Sequence, residues 1–375
     1  MTSETKMVYQ TNWKYWPFLF LIDLIGYILF TPFLYLKKLK NIRKILVIRI
    51  DEIGDIILAT PVFRELKKKF PNAKIGVLIK KGTKELLENN PYVGNIIICE
   101  KPWLIGKFNL GYYVKLIKKL KNEKFDLVIE LHTDPRNILM AFLIGKYKIG
   151  CGYRGLGFLL NKRAKYKEKH TIDTNLDLLR TLSIKSTNNE MDVFYKKKDE
   201  KFVTKMLKKY NLKNYIIIHP GVSRKNRLWI NERWAKVADK LLNKYKVVFT
   251  GSKGEINLVN DIINKMKNKK KKVLNLAGQL TLNQLAVLIK KSKLFIGPNT
   301  GASHIARAVN TPSIGLFGSL NPKIWGYNDN NHKSIYKKLD CSFCNQADCI
   351  RKKDKYKCMK LIEVRDVLNT IKQIR

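Results

Sequence analysis

The chain reads as an α/β protein of two facing Rossmann-like domains with a central cleft, preceded by an apolar helix. Three observations predict this. Short Val/Ile/Leu runs alternate with amphipathic helical stretches along most of the sequence, the pattern of parallel strands covered on both faces. At 375 residues, 45% of them apolar, the chain exceeds one ordinary core and suits two domains of about 150 residues plus appendages. The alternation also breaks once, at the polar stretch Tyr195–Glu200, and then resumes.

Residues 1–40 form the apolar segment. Within it Trp16–Leu36 carries a single charge, Asp23, and as a helix would be roughly 30 Å long, the thickness of a hydrocarbon core. Aromatic residues stand at both ends, and Lys37, Lys38, Lys40, Arg43 and Lys44 follow it, against Lys6 and Lys14 before it. That bias assigns the C-terminal side to the cytoplasm, and no small-residue cleavage site marks a removable signal. The run is expected to attach the chain to a membrane, by crossing it or by lying in its interface. Asp23 and the two prolines speak for the alternative of a buried helix.

The first domain is expected over residues 41–195, with strands at Lys44–Ile50, Lys74–Ile79, Asn95–Cys99 and Phe125–Leu131 and helices near Ile56–Phe70 and Tyr112–Lys121. Ile172, Leu176, Leu179 and Leu182, at helical spacing, close it, and Tyr195–Glu200 is read as the linker. The second domain, 196–335, repeats the logic with strands Tyr215–His219, Lys246–Thr250, Lys272–Leu276, Leu294–Gly297 and Ser313–Phe317. Its helices are expected near Glu232–Leu242, from Glu255, at Leu282–Lys290 and after Gly301, with Lys269–Lys272 as a solvated loop. Residues 336–375 form a Cys-rich tail and a closing helix.

A formal charge of +44 means attraction to polyanions: nucleic acid, anionic lipid or a phosphorylated glycan. Lysine is spread over the whole chain, so the charge alone does not separate a nucleic-acid binder from an enzyme at an anionic membrane surface. Of six cysteines, Cys99 and Cys151 read as isolated core residues, while Cys341-x2-Cys344-x4-Cys349-x8-Cys358 cluster in the tail. Two readings fit the cluster: reduced thiols packing a small subdomain, or four thiolates closing on a structural Zn²⁺.

In doubly wound domains ligands bind beyond the carboxyl ends of strands, and three special turns stand there. Ile296-Gly297-Pro298-Asn299-Thr300-Gly301-Ala302-Ser303-His304 passes from an apolar strand directly into a small-residue helix. Such a junction aims free N–H groups and the positive end of a helix dipole at one point, which suits a phosphate. Ile216-Ile217-Ile218-His219-Pro220-Gly221-Val222-Ser223 ends a second strand on a Gly/Ser turn followed by Arg224, Lys225 and Arg227. Two such loops in one half of the chain point to a diphosphate. The third turn, in Ile45–Asp55, presents a carboxylate instead.

Gly54-Asp55 with Pro61, His219-Pro220-Gly221-Val222-Ser223 with Trp229, and Asn299-Thr300-Gly301 with His304 resemble the family 9 glycosyltransferases, the lipopolysaccharide heptosyltransferase group, in order and spacing over residues 44–370. The resemblance implies the GT-B architecture, a nucleotide-diphospho-sugar donor such as ADP-heptose, a lipid-linked glycan acceptor such as a lipopolysaccharide core, and work at the cytoplasmic face of the inner membrane. Two positions depart from the family pattern. Asn299 stands where Asp is usual, which keeps the hydrogen-bond geometry and removes a charge. Arg227 stands where Lys is usual, and still neutralises a phosphate through its fork.

By this resemblance Asp55 is the base for the acceptor hydroxyl, against the commoner use of Gly-Asp at a helix start. Arg227, Ser223, Asn299 and the N–H groups of Thr300, Gly301 and Ala302 form the diphosphate set, Arg227 also serving catalysis. Glu255 opens a helix where an acid holds ribose hydroxyls in many nucleotide folds, or else it stabilises the helix dipole. His304 touches phosphate or sugar, or is a packed group. His132, Asp134 and Arg136 face the acceptor, or cap the next helix. No Asp-x-Asp follows a strand where a metal would bridge the diphosphate, so transfer is expected to need no metal or other cofactor, and a single base with no second nucleophile implies inversion. The rivals are transfer of another nucleotide-diphospho-sugar to a cell-surface glycan, a nucleotide-sugar epimerase, and a non-enzymatic basic nucleic-acid binder. The last lacks basic and aromatic residues interleaved on one element, so nucleic acid is not an expected partner.

Overall fold

The computed structural model describes residues 16–100, 109–268, 273–346 and 348–374. The loop Lys269–Lys272, and Lys6 and Lys14 of the N-terminal flank, lie outside the described residues. The chain forms two compact units, Met1–Glu190 and Met191–Arg375.

The first unit begins with α1 (Trp16–Tyr35) and continues through β1 (Lys44–Ile48), α2 (Ile53–Lys69), β2 (Lys74–Lys80), β3 (Asn95–Cys99), α3 (Leu110–Asn122), β4 (Phe125–Glu130), α4 (Pro135–Ile144), β5 (Gly145–Gly150), β6 (Lys162–Arg163) and α5 (Thr171–Leu179). All strands are parallel, in the order β3-β2-β1-β4-β5-β6. The β-branched run of β1 is buried from Ile45 onward, as a central parallel strand requires. Leu46, Ile48, Leu78, Leu116, Leu120 and Val128 form the core on one face. From β1 the chain winds outward to β3, returns, and winds the other way from β4. The order therefore reverses between β1 and β4, and that is where an open α/β sheet binds its ligand.

The second unit contains α6 (Lys197–Lys209), β7 (Tyr215–Ile218), α7 (Asn231–Leu241), β8 (Lys246–Phe249), α8 (Ile256–Asn264), β9 (Val273–Asn275), α9 (Leu282–Lys290), β10 (Phe295–Pro298), α10 (Gly301–Ala308), β11 (Ser313–Phe317), α11 (Pro322–Trp325), β12 (His332–Tyr336), α12 (Lys357–Lys360) and α13 (Val364–Gln373). The order β12-β11-β10-β7-β8-β9 repeats the first sheet, with its reversal between β7 and β10. Trp229 and Trp234 meet edge to face at 4.7 Å in a core with Ile216, Phe249, Ile296 and Ile314. The tail closes this core: Met359, Ile362 and Val367 are part of it, and the Trp229 indole donates to the Ile362 carbonyl at 2.8 Å.

Three strands, β5, β6 and β12, were not expected. Their sequences are polar: β5 reads Gly-Lys-Tyr-Lys-Ile-Gly and β12 His-Lys-Ser-Ile-Tyr, so the apolar run that marks a buried strand is missing. The linker expected at Tyr195–Glu200 is a correction of another kind. The chain divides at 190/191, and Lys197 already opens α6, where Asp199 accepts the Lys196 N–H at 3.1 Å. A charged stretch here is the first turn of a helix.

Candidate active site

At the reversal of the first sheet, the loops leaving β1 and β4 bring five charged side chains together. Arg49, 4% exposed, stands just beyond β1. Its guanidinium reaches Asp51 Oδ2 at 3.0 Å, Asp55 Oδ1 at 3.1 Å and the Leu131 carbonyl at 2.5 Å, so one buried cation ties both loops together. Asp51 Oδ1 lies 2.6 Å from His132 Nδ1. Fully buried Glu130, the last residue of β4, accepts the N–H groups of His132 at 2.9 Å and Thr133 at 2.7 Å. It thereby holds Thr133 in the left-handed region, at φ 64°, and turns His132 toward Asp51.

These contacts divide the acids by role. Burial pushes Asp51 upward, but Arg49 and His132 outweigh it and keep Asp51 below its ordinary value. Asp55, in the first turn of α2 with its side chain 20% exposed, moves up: burial raises it, Arg49 opposes, and the Asp51 charge adds to the rise. Burial lowers His132, but its bond to Asp51 prevails and raises it. Glu130 is pushed up to about 7 by burial, against the two N–H groups that favour its charged form. The result is a stronger base at Asp55, held by a cation beside a permanently charged neighbour.

Asp134 is the N-cap of α4 and accepts from the Arg136 backbone N–H and Nε, both at 2.9 Å, and from Nη2 at 2.6 Å. The capping alternative for Asp134 is what the structure contains, and Arg136 is folded back onto it. Sequence reasoning gave no role to Arg49, Asp51 or Glu130. A signal existed for the first two, since Ile48-Arg49-Ile50-Asp51 sets charges inside an apolar run.

At the reversal of the second sheet, the loop after β7 carries exposed Ser223, and Arg227 ends the short 3₁₀ turn Lys225–Arg227. Buried Asn226 anchors that turn by donating to the Gln346 carbonyl at 2.8 Å. Glu255 accepts the Ser252 N–H at 2.7 Å, which is the capping use, and its carboxylate also lies against Gly221: a Cβ there would sit 2.1 Å from the Glu255 carboxyl carbon. Burial lowers His219 at the end of β7 while the nearby Glu255 charge opposes the fall.

Beyond β10, Asn299 is 5% exposed and donates from Nδ2 to the Trp325 carbonyl at 3.1 Å. An ionised aspartate could not make that bond, so the departure at 299 has a structural use. Ser303 accepts the Thr300 N–H at 3.2 Å and returns its hydroxyl to the Thr300 carbonyl at 2.7 Å, fixing the entry to α10, whose first turn contains Gly301 and Ala302. His304 is 3% exposed and hydrogen-bonded to the Tyr327 hydroxyl at 2.8 Å, the arrangement of a packed group.

All six cysteines are free thiols, Cys99 and Cys151 being buried. Cys341, Cys344, Cys349 and Cys358 line one small cavity with Asn226 and Arg351. Cys349 Sγ accepts the Tyr356 N–H at 3.3 Å, and Cys341 Sγ lies 3.9 Å from Arg351 Nη1. Among the described residues, no group of three or more His, Cys, Asp or Glu side chains is placed to hold a metal ion, so the zinc reading of these cysteines is unsupported. Burial, then the neighbouring cysteines, raise the Cys358 thiol above its ordinary value.

The family model described as glycosyltransferase family 9 (heptosyltransferase) matches residues 113–355. The lipopolysaccharide heptosyltransferase 3 of Escherichia coli is 30% identical over 289 residues, 74% of this chain and 84% of that protein. Among solved structures, a family 9 glycosyl transferase from Veillonella parvula DSM 2008 superposes with a TM-score of 0.73 at 22% identity, covering 89% of this chain and 97% of that one. The E. coli ADP-heptose lps heptosyltransferase II gives 0.71 at 21% identity, covering 88% and 97%. These give the fold as GT-B, with an apolar helix added at the N-terminus. The chain belongs to glycosyltransferase family 9, the heptosyltransferase family, and is an enzyme of that kind.

Proposed function

We propose that this enzyme moves a heptose from ADP-heptose to a lipid-linked glycan of the lipopolysaccharide core, with inversion at the anomeric carbon and without a metal. The observation that carries the reading is Asp55: a carboxylate at the reversal of its sheet, partly exposed, with its proton affinity raised and its position fixed by Arg49. The names of the E. coli relatives supply the sugar, its ADP carrier and the lipopolysaccharide setting.

In this reading the first domain serves the acceptor. Asp55 takes the proton of the acceptor hydroxyl as that oxygen attacks the anomeric carbon, and the carbon–oxygen bond to the diphosphate breaks with its electron pair going to ADP. His132, held by Asp51, and Arg136 line the acceptor side. The second domain serves the donor: Arg227 and Ser223 on one loop, and the first-turn N–H groups of α10 on the other, meet the charge that grows on the departing oxygen. The Glu255 oxygen not used for capping takes the ribose hydroxyls. The basic surface and α1 keep the enzyme at the cytoplasmic face of the inner membrane.

The test is ADP-heptose consumption with a heptose-deficient lipopolysaccharide acceptor, beside donor affinity by calorimetry. Asp55→Asn is expected to lower turnover by roughly 10²-fold or more at nearly unchanged donor affinity, while Arg227→Ala lowers both. Normal turnover in Asp55→Asn removes the base. A donor screen by thermal shift in which a UDP- or GDP-sugar, and not ADP-heptose, raises the melting temperature overturns the sugar assignment.

A further inference from the structure

Helix α1 has a mean hydropathy of 1.9 over Pro17–Tyr35 and is long enough to cross a bilayer, yet it is bound to the first domain along one side. Asp23 Oδ1 accepts the Leu156 N–H at 2.9 Å. Gly26 is buried so closely against Phe158 that a Cβ would fall 2.5 Å from the ring. Tyr27 meets Phe158 edge to face at 5.9 Å and hydrogen-bonds Arg163, whose guanidinium lies 4.5 Å from the Tyr27 ring. Phe30 packs on Phe142 and Phe158, and the Asn161 amide donates to the Leu34 carbonyl at 2.7 Å. These positions recur every three or four residues and form one stripe.

The opposite stripe is bare and apolar. Leu21, Leu24, Ile25, Ile28 and Leu36 are 46–80% exposed. The helix thus inverts the usual amphipathic arrangement: Asp23 and Tyr27 face protein, and the side turned outward is apolar apart from Tyr35. Exposed Lys37, Lys38, Lys40 and Arg43 follow its C-terminus, and exposed Lys162 and Arg163 adjoin the Asn161 contact.

A crossing helix would be surrounded by hydrocarbon, and its partners at Asp23 and Tyr27, near mid-length, would follow it there. That carries the backbone around Leu156 and the Arg163 guanidinium into the bilayer centre, where unsatisfied and charged groups are costly. Lying flat satisfies every contact at once. We infer that α1 is an in-plane anchor: it stays docked on the first domain, inserts the Leu21–Leu36 stripe into one leaflet, and sets its basic flank against anionic headgroups. The inference rests on the membrane-facing part of the proposed function and specifies its geometry, leaving the chemistry untouched.

The test uses the full chain with an N-terminal epitope tag, in inside-out inner-membrane vesicles and in flotation with phosphatidylglycerol-containing liposomes. In-plane attachment leaves the tag open to added protease, lowers binding at least about tenfold in Ile25→Glu/Ile28→Glu, and weakens it in phosphatidylcholine or high salt. Leu110→Glu, on an exposed apolar residue of α3, is expected to float like the parent. A protected tag means the helix crosses and overturns the inference. A detergent-free soluble dimer that the double variant makes monomeric assigns the stripe to a second copy and also overturns it. Transfer to a delipidated oligosaccharide acceptor reports the chemistry separately: it survives the double variant if the function is right, and its absence in the parent counts against the function alone.

Discussion

Glu130 offers the sharpest quantitative test of the first-domain cluster. It is fully buried, and its carboxyl is pushed up to about 7. Against an ordinary glutamate, that displacement corresponds to about 3 kcal/mol of preference for the neutral form in the folded state. Because the folded value is the higher one, the native protein binds more protons than the unfolded chain between the two values. Stability from this group is therefore complete below the ordinary glutamate range, declines as pH rises, and is lost once pH passes about 7. Glu130→Gln removes the titration and resembles the protonated acid in shape. Urea unfolding followed by circular dichroism should find the two proteins within about 1 kcal/mol of each other at pH 5, since each then has one full acceptor for the His132 and Thr133 N–H groups. At pH 8 the variant should be more stable by up to about 3 kcal/mol. Parallel stability profiles across this range would refute the reasoning, since they would mean Glu130 titrates normally and is not desolvated by the fold.

Three further outcomes probe the rest of the site. His132→Gln removes a positive charge that lowers Asp55, so the acid limb of the rate profile should move to higher pH; an unmoved limb separates His132 from the base. Asn299→Asp replaces the donor to the Trp325 carbonyl with a buried acceptor and should cost about 1–3 kcal/mol in urea unfolding, with weaker donor binding by calorimetry. Gly221→Ala drives a methyl into the Glu255 carboxylate, so it should release the Ser252 cap, cost about 1 kcal/mol, and weaken nucleotide binding. A calorimetric titration identical to the parent's would show that the carboxylate has no role at that loop.

What the sequence made legible follows from what each signal depends on. Buried interior strands are apolar for reasons internal to the strand, so β1, β7 and β11 could be read within a residue or two of their ends. Strands at or next to a sheet edge, such as β12 and β5, owe their state to a neighbour and keep polar side chains. In β5, Lys146 reaches Asp126 of β4 at 2.8 Å, a contact between residues twenty apart in sequence that no local pattern reports. The same holds in the site. Asp55 stood out because a glycine precedes it at a strand end; Arg49 is marked only as a charge inside an apolar run, and its role as the partner that fixes Asp55 shows once the Leu131 carbonyl beyond β4 lies beside it. His304 and Asp134 leave two readings open in the sequence, a ligand contact or a packed or capping group, because a motif records position along the chain, not the direction of a side chain. Both turn out to have protein partners, Tyr327 for one and Arg136 for the other.

The two sheets have the same strand order, so their reversal points are equivalent by construction, and the difference in chemistry lies in the loops placed there. In the first domain three carboxylates, Asp51, Asp55 and Glu130, gather there around one buried arginine. A proton acceptor benefits from this arrangement, because a neighbouring negative charge raises its affinity for a proton while the cation holds it in place. In the second domain the loops carry Ser223, Arg227 and a small-residue helix start, and position 299 has exchanged a carboxylate for an amide. An anion of two phosphates benefits from that arrangement, since each negative charge removed from the loop lessens repulsion and each N–H left open adds attraction. The exchange at 299 also explains how the loop keeps its shape without the acid: the Asn299 amide supplies a donor that fastens it to the Trp325 carbonyl. The arginine at 227 fits the same logic, because a planar fork engages two phosphate oxygens where an ammonium offers a point charge. Both departures from the family pattern leave the donor loops favourable to an anion, as the proposed role of the second domain in holding a nucleotide diphosphate requires.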